Sequence, residues 1–110
     1  MRGVFFGRLT PSYDAERRLF RWGQHILKRF RQPSVNQEAI LAAAEELGWP
    51  ELFDDPLPGK AGVNAKRRLH DTVKDLNRRQ IQPRIHFLCN NDGEGVGWAA
   101  RPWAGHIERT

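Results

Sequence analysis

The sequence predicts an α+β domain of about three helices followed by a C-terminal two-stranded β-hairpin. The first observation is that apolar residues recur with helical spacing in the stretch 64–80. The second is that apolar and polar residues alternate over 85–99, on both sides of Asn91-Asp92-Gly93, whose residue types tolerate the positive φ of tight turns. The third is that 110 residues with 39% hydrophobic content suit one domain with a real core.

The first predicted helix, helix A, spans about 11–31, beginning at Pro11 or at Asp14. Thr10 and Pro11 suit an N-cap followed by proline at the first helical position. An apolar stripe with helical spacing supports the assignment and consists of Leu19, Trp22, Ile26 and Phe30. Pro33 ends the helix. Residues 1–10 are expected to form a leader, either a short strand or a disordered segment.

Helix B is predicted from Ser34 or Asn36 to Leu47. Ser34-x-x-Gln37 forms a possible capping box, and Asn36 is the rival cap. The apolar face of this helix consists of Ile40, Leu41, Ala44 and Leu47. Its end is the clearest boundary in the sequence, because Gly48 suits the left-handed C′ position, Trp49 can fold back, and Pro50 cannot continue the helix.

The connection 49–63 holds three prolines and two glycines and is long for a compact domain. One helical turn is possible within 51–55. Beyond the hairpin, residues 101–110 are predicted to be a tail in which Trp103 is a candidate for docking on the domain.

The third helix, predicted at 64–80, is both amphipathic and basic. Asn64 is its natural N-cap, and its apolar face consists of Leu69, Val73 and Leu76. Its other faces carry Lys66, Arg67, Arg68, Lys74, Arg78 and Arg79. After a break at Gln82-Pro83, the hairpin alternates through Ile85, Phe87 and Cys89 and returns through Val96 and Trp98.

A cationic helix followed at once by an antiparallel hairpin resembles the second half of a winged helix-turn-helix domain. The resemblance rests on Leu69-(x3)-Val73-(x2)-Leu76 and then Ile85 to Trp98, and it covers most of residues 15–100. It implies a single winged-helix domain at 11–100, with 64–80 as the recognition helix and 85–99 as the wing.

Two alignments onto that architecture are possible. In the first, helix A opens the domain, 33–35 supplies the short first strand, and helix B is the positioning helix. In the second, helix B opens the domain, a short helix near 51–55 comes next, and helix A is an N-terminal addition. We favour the first. Its connection between helix B and the recognition helix is the segment 49–63, whereas the usual turn between these two helices is about 3–4 residues.

The charge is distributed in blocks. The net charge is +5. Residues 1–32 hold eight Lys or Arg against two acids, 33–59 hold six acids and no Lys or Arg, and 60–84 hold eight Lys or Arg against two acids. The cationic blocks point to a polyanionic partner, and duplex DNA is the expected one.

The predicted nucleic-acid-binding residues divide by role. Arg67 or Arg68, near the start of the helix, suits bidentate reading of guanine, whereas cations further along suit phosphates. Asn90 and Asn91 at the wing tip are candidates for hydrogen bonds to the backbone or the minor groove. The full predicted set is Asn64, Lys66, Arg67, Arg68, Lys74, Arg78, Arg79, Asn90 and Asn91.

Other functional classes find less support in the sequence. No catalytic motif appears, and His25, His70, His86 and His106 have no metal-ligand spacing with Cys89, so we expect neither an enzyme nor a cofactor. A lone cysteine fits a reducing cytosol, and no apolar run approaches the ~20 residues of a membrane helix, so a cytoplasmic protein is expected.

Two alternatives stay open. One is a protein-interaction domain using the acidic and aromatic surface 38–55, and the other is RNA binding. A homodimer or a protein partner would use helix A or the loop 49–63. The expected core consists of Leu69, Val73, Leu76, Ile40, Leu47, Ile26, Phe87 and Trp98.

Overall fold

The computed structural model describes residues 10–59 and 64–101. Within these ranges the chain forms six strands and two helices, which in chain order are β1 (Pro11–Asp14), β2 (Leu19–Trp22), β3 (His25–Arg29), α1 (Val35–Leu47), β4 (Leu52–Asp54), α2 (Ala65–Asn77), β5 (Ile85–Cys89) and β6 (Gly95–Ala100). The strands form two three-stranded antiparallel sheets, in the orders β1-β2-β3 and β4-β6-β5.

The predicted winged helix-turn-helix architecture is wrong. The described residues form two helices rather than about three, because the region assigned to helix A is the sheet β1-β2-β3. The C-terminal hairpin is not a two-stranded wing either, since β4 pairs with β6 as a third strand. The segment 51–55, which the second alignment made a short helix, contains that strand.

Local turn chemistry favours the two turns that connect the strands of residues 11–31. The Asp14 carboxylate accepts hydrogen bonds from the backbone amides of Glu16 and Arg17, both at 3.0 Å, and so closes the β1–β2 turn. Gly23 takes a φ of +59° in the β2–β3 turn, which glycine adopts at little cost. The helical spacing of apolar residues was therefore coincidental.

The burial pattern of this sheet differs from the predicted stripe. Phe20 and Leu27 are fully buried, whereas Leu19, Trp22 and Ile26 are only partly buried. Of the predicted stripe, Phe30 alone is buried. The strand alternation places Phe20 and Leu27 toward α1 and the second sheet.

Helix α1 ends as predicted. Gly48 has a left-handed conformation with φ 82°, and the Trp49 amide donates to the Ala44 carbonyl at 2.8 Å. Ser34 is the N-cap residue, but its side chain makes no capping bond; the Glu38 carboxylate accepts the Ser34 amide at 3.1 Å instead. In the predicted capping box the Ser34 amide was to bind Gln37, and Glu38 takes that place.

An aromatic cluster joins the two sheets through Trp49, which follows α1. Phe20 stacks on Trp49 with centroids 5.8 Å apart and lies 5.7 Å from Phe87. Trp49 in turn meets Trp98 edge-on at 5.9 Å. These contacts carry the core from β2 to β5 and β6.

The predicted core is largely confirmed. Six of its members are buried, namely Leu69, Val73, Leu76, Ile40, Phe87 and Trp98. The prediction that Leu47 is buried is wrong. This residue is 60% exposed at the end of α1, where Trp49 folds back over the core. Ile26 is only partly buried.

Helix α2 begins where the sequence predicted. The Asn64 side chain accepts the Arg67 amide at 3.0 Å as an N-cap. Apart from Thr10 and Arg101, the predicted leader 1–10 and tail 101–110, with Trp103, lie outside the described residues. No helix in the described part of the chain has the length and apolar character needed to cross a membrane.

Candidate functional site

The outward face of α2 is a cationic stripe. We use this term for Arg67, Asp71 and Lys74, which recur at intervals of about one helical turn, together with Arg78, the C-cap residue. The helix was predicted to reach Gln80 but ends at Asn77. Arg67 has 81% of its side chain exposed, and Lys74 is also exposed. Leu69, Val73 and Leu76 are buried on the opposite side of the helix. The stripe therefore presents three cations and one carboxylate to solvent.

The ion pairs on this face leave its cations accessible. Arg67 Nε lies 3.9 Å from Asp71 Oδ2, and the Arg78 guanidinium pairs with the Asp75 carboxylate. Exposed pairs of this kind are worth only about 0–1 kcal/mol. A phosphate can therefore replace the carboxylate of either pair at little cost.

Arg68 lies on the side of α2 that meets the connection. Its side chain is partly buried, and Nη2 points at the Leu57 carbonyl at 3.5 Å. Its Nε is buried with no hydrogen bond among the described residues. The guanidinium thus lies beside the connecting loop, and Arg68 lines a cleft together with Arg67 and Asp71 of the stripe.

The β5–β6 turn lies beside the start of α2. A Cβ on Gly93 would come within 3.3 Å of the Lys66 side chain, which shows how closely the turn packs there. Asn90 is occupied by the turn itself, since its Oδ1 accepts the amides of Glu94 and Gly95 at 3.1 and 3.0 Å. Asn91 is exposed at the tip.

Residues at the other end of α2 line a second cationic region. We call it the basic cleft: a cleft of about 360 Å³ between the end of β3, the β3–α1 connection and the segment after α2. Its cations are Lys28, Arg29, Arg31 and Arg79. Only Arg79 belonged to the predicted set. Four cations from two distant parts of the sequence therefore meet at this place.

Lys28 connects the basic cleft to α2. Its Nζ donates to the Asp75 carbonyl at 2.7 Å and to Gln37 Oε1 at 2.9 Å. Burial lowers the pKa of Lys28 to about 8; Asp75 opposes this shift, while the charges of Arg78 and Arg79 add to it. The sequence signal for this region was the run Lys28-Arg29-Phe30-Arg31, in which cations flank an aromatic residue.

On the acidic and aromatic surface 38–55, several of the side chains are buried or already paired within the protein. Trp49 and Phe53 are buried, while Leu52 is 54% exposed. Glu38 binds Arg18 and the Tyr13 hydroxyl, which donates at 2.6 Å. The two aromatic side chains are therefore not presented to a partner on this surface.

The chain matches no protein-family model, no curated protein and no solved structure. Among the described residues, no three His, Cys, Asp or Glu side chains are grouped so that they could hold a metal ion. The two cationic regions at α2 are therefore the candidate functional surfaces of this protein.

Proposed function

We propose that this protein binds duplex DNA through the outward face of α2. The observation that carries the proposal is the exposure of Arg67 and Lys74 along one side of a helix whose other side is buried, and of Arg78 directly after its end. A helix fits the major groove, which is about 12 Å wide, and cations along it neutralise phosphates and release condensed counterions.

The position of each cation favours a different kind of contact. Arg67 lies in the first turn of α2 with a long, open side chain, which suits a base edge. Lys74 and Arg78 lie two or more turns further along, which suits the phosphate backbone. Asp71, which is 62% exposed between them, opposes phosphate binding at the centre of the stripe.

The test is a titration of duplex DNA, single-stranded DNA and RNA at about 50 and 200 mM salt, where electrostatic binding differs most clearly. We expect the duplex to bind best and its affinity to fall steeply with salt. Lys74→Ala should weaken binding, whereas Asp71→Asn should strengthen it because a repelling charge is removed. Arg21→Ala, an exposed arginine on β2, is the matched control.

Two results would contradict the proposal. Absence of binding to all three nucleic acids at micromolar protein and low salt would remove nucleic-acid binding altogether. Equal or tighter binding of RNA or single-stranded DNA would remove the duplex as the preferred partner.

A further inference from the structure

The basic cleft is unusual in its charge. Its described lining contains four cations and no Asp or Glu, together with the polar side chains of Gln32, Ser34 and Gln37. Like charges that lie close together repel one another, and an anion between them relieves that repulsion. Guanidinium groups bind phosphate oxygens with two parallel hydrogen bonds, which makes phosphate a suitable anion.

The backbone holds these cations together. The Ile81 amide donates to the Leu27 carbonyl at 2.7 Å and so fixes the segment after α2 against β3. Arg79 has a φ of 58°, a left-handed conformation that glycine or asparagine adopts more readily after a helix. An arginine in this conformation destabilises the fold. The Arg79 side chain is exposed, so its burial does not offset the loss.

The cleft continues the cationic stripe of α2. Arg78, the last residue of the stripe, directly precedes Arg79 in the chain. At about 1.5 Å per residue, Arg67 and Asn77, the last residue of α2, lie roughly 15 Å apart along the helix axis, and Arg78 and Arg79 follow directly. This exceeds the major-groove width of about 12 Å, so a helix lying across the groove carries its last turn onto a phosphate backbone.

We propose that the basic cleft binds backbone phosphates of the duplex that α2 holds, so that β3 and the β3–α1 connection form part of the same interface. The inference rests on the proposed function and extends it to Lys28, Arg29 and Arg31. Ile81, which is 62% exposed at the cleft, provides an apolar contact for the sugar.

The test compares the duplex affinity of the wild type with that of Arg79→Gly and Arg29→Ala, using Arg21→Ala as the matched control. Arg21 pairs with Ile26 near the β2–β3 turn, whereas Arg29 pairs with Leu19 at the opposite end of the sheet. Each cleft variant should weaken binding about tenfold, as loss of one hydrogen bond to a charged group predicts, and reduce the salt slope by about 0.9.

Arg79→Gly also guards against a trivial loss of folding. Glycine is favoured in the left-handed conformation, so this variant should unfold at the same temperature as the wild type or higher. Lower affinity together with undiminished stability therefore assigns the effect to the guanidinium group.

The outcomes separate the two proposals. If the wild type and Lys74→Ala differ in duplex affinity as expected but both cleft variants behave like Arg21→Ala, the cleft inference is overturned and the proposed function stands. Failure of the wild type to bind duplex overturns both. The alternative ligand of the cleft is a free phosphate compound, for which inorganic pyrophosphate is the probe. If pyrophosphate shifts the arginine side-chain NMR signals of the cleft while the cleft variants keep full duplex affinity, the cleft binds such a compound. The proposed contact with the duplex is then overturned.

Discussion

The side-chain amide of Asn77 makes two hydrogen bonds to the backbone of Phe87. Its Nδ2 donates to the Phe87 carbonyl at 2.8 Å, and its Oδ1 accepts the Phe87 amide at 2.7 Å. Gln80 similarly donates from Nε2 to the Ile85 carbonyl at 2.8 Å. These amides take the place of a neighbouring strand along the outer edge of β5, which protects an edge that would otherwise be open to pairing.

Asn77→Leu should destabilise the fold by about 1–3 kcal/mol, because it leaves the Phe87 amide and carbonyl unpaired at a buried residue. Asn77→Asp should also destabilise the fold, since it keeps the acceptor for the Phe87 amide but places a carboxylate oxygen against the Phe87 carbonyl in place of the donor. Denaturant unfolding measures both. Asn91→Ala, at an exposed asparagine in the β5–β6 turn, is the control. Equal stability of Asn77→Leu and Asn91→Ala would show that the edge contact contributes nothing.

Leu76 and Leu47 should respond differently to the same substitution. Leu76 is fully buried, so Leu76→Ala should cost about 2–5 kcal/mol through lost burial and a residual cavity. Leu47 is 60% exposed at the end of α1, so Leu47→Ala should change stability by no more than about 0.5 kcal/mol. Thermal unfolding distinguishes them. A large loss at Leu47 would mean that α1 packs in another register.

Acid should weaken the contact between β1 and α1. The hydrogen bonds from Arg18 lower the pKa of Glu38 from 4.5 to about 2, with further bonds from Tyr13 and the Ser34 amide. Because the folded-state value is depressed, the stabilisation is present above about pH 4.5 and is lost as the pH falls toward 2.

Glu38→Gln should therefore lower stability at pH 7 by about 1.5–3 kcal/mol, the range for hydrogen bonds to a charged group. Its difference from the wild type should shrink between about pH 4.5 and 2. Glu46→Gln, at an exposed position of the same helix, is the control. A constant difference over that pH range would indicate that the charge on Glu38 is not the stabilising element.

Base contacts and phosphate contacts should be made by different residues of the cationic stripe. If Arg67 contacts a base, Arg67→Ala should cost about 1–3 kcal/mol on a preferred sequence and relax discrimination there. Arg78→Ala should weaken all sequences alike and flatten the salt slope by about one unit. A preferred site selected from random duplexes is needed for the comparison. Equal effects of both variants on every sequence would mean that α2 does not read bases.

Duplex affinity should fall as the pH rises from 7 to 9. Lys28 has a pKa of about 8, because burial and the nearby Arg78 and Arg79 disfavour its ammonium form more than Asp75 favours it. A phosphate in the basic cleft binds the ammonium form, so neutralisation should reduce affinity by up to about tenfold at pH 9. Lys28→Arg stays charged throughout. If this variant shows the same pH dependence, Lys28 is not the responsible group.

Several local features were readable from the sequence alone. The spacing of Leu69, Val73 and Leu76 placed α2 and its buried face, and Asn64 marked its start. Gly48 marked the end of α1, and Asn91-Asp92-Gly93 marked the β5–β6 turn. These signals depend on interactions within a few residues of the chain, which is why a linear pattern records them.

The tertiary structure decided the rest. Residues 11–31 carried a helical apolar spacing, but pairing of β2 with β1 and β3 and the closing of their turns determined the strands. The pairing of Phe53 with Val96 and the meeting of Lys28 with Arg79 join residues far apart in the chain. Such contacts are selected by the packing of whole sheets and helices, which no local spacing encodes.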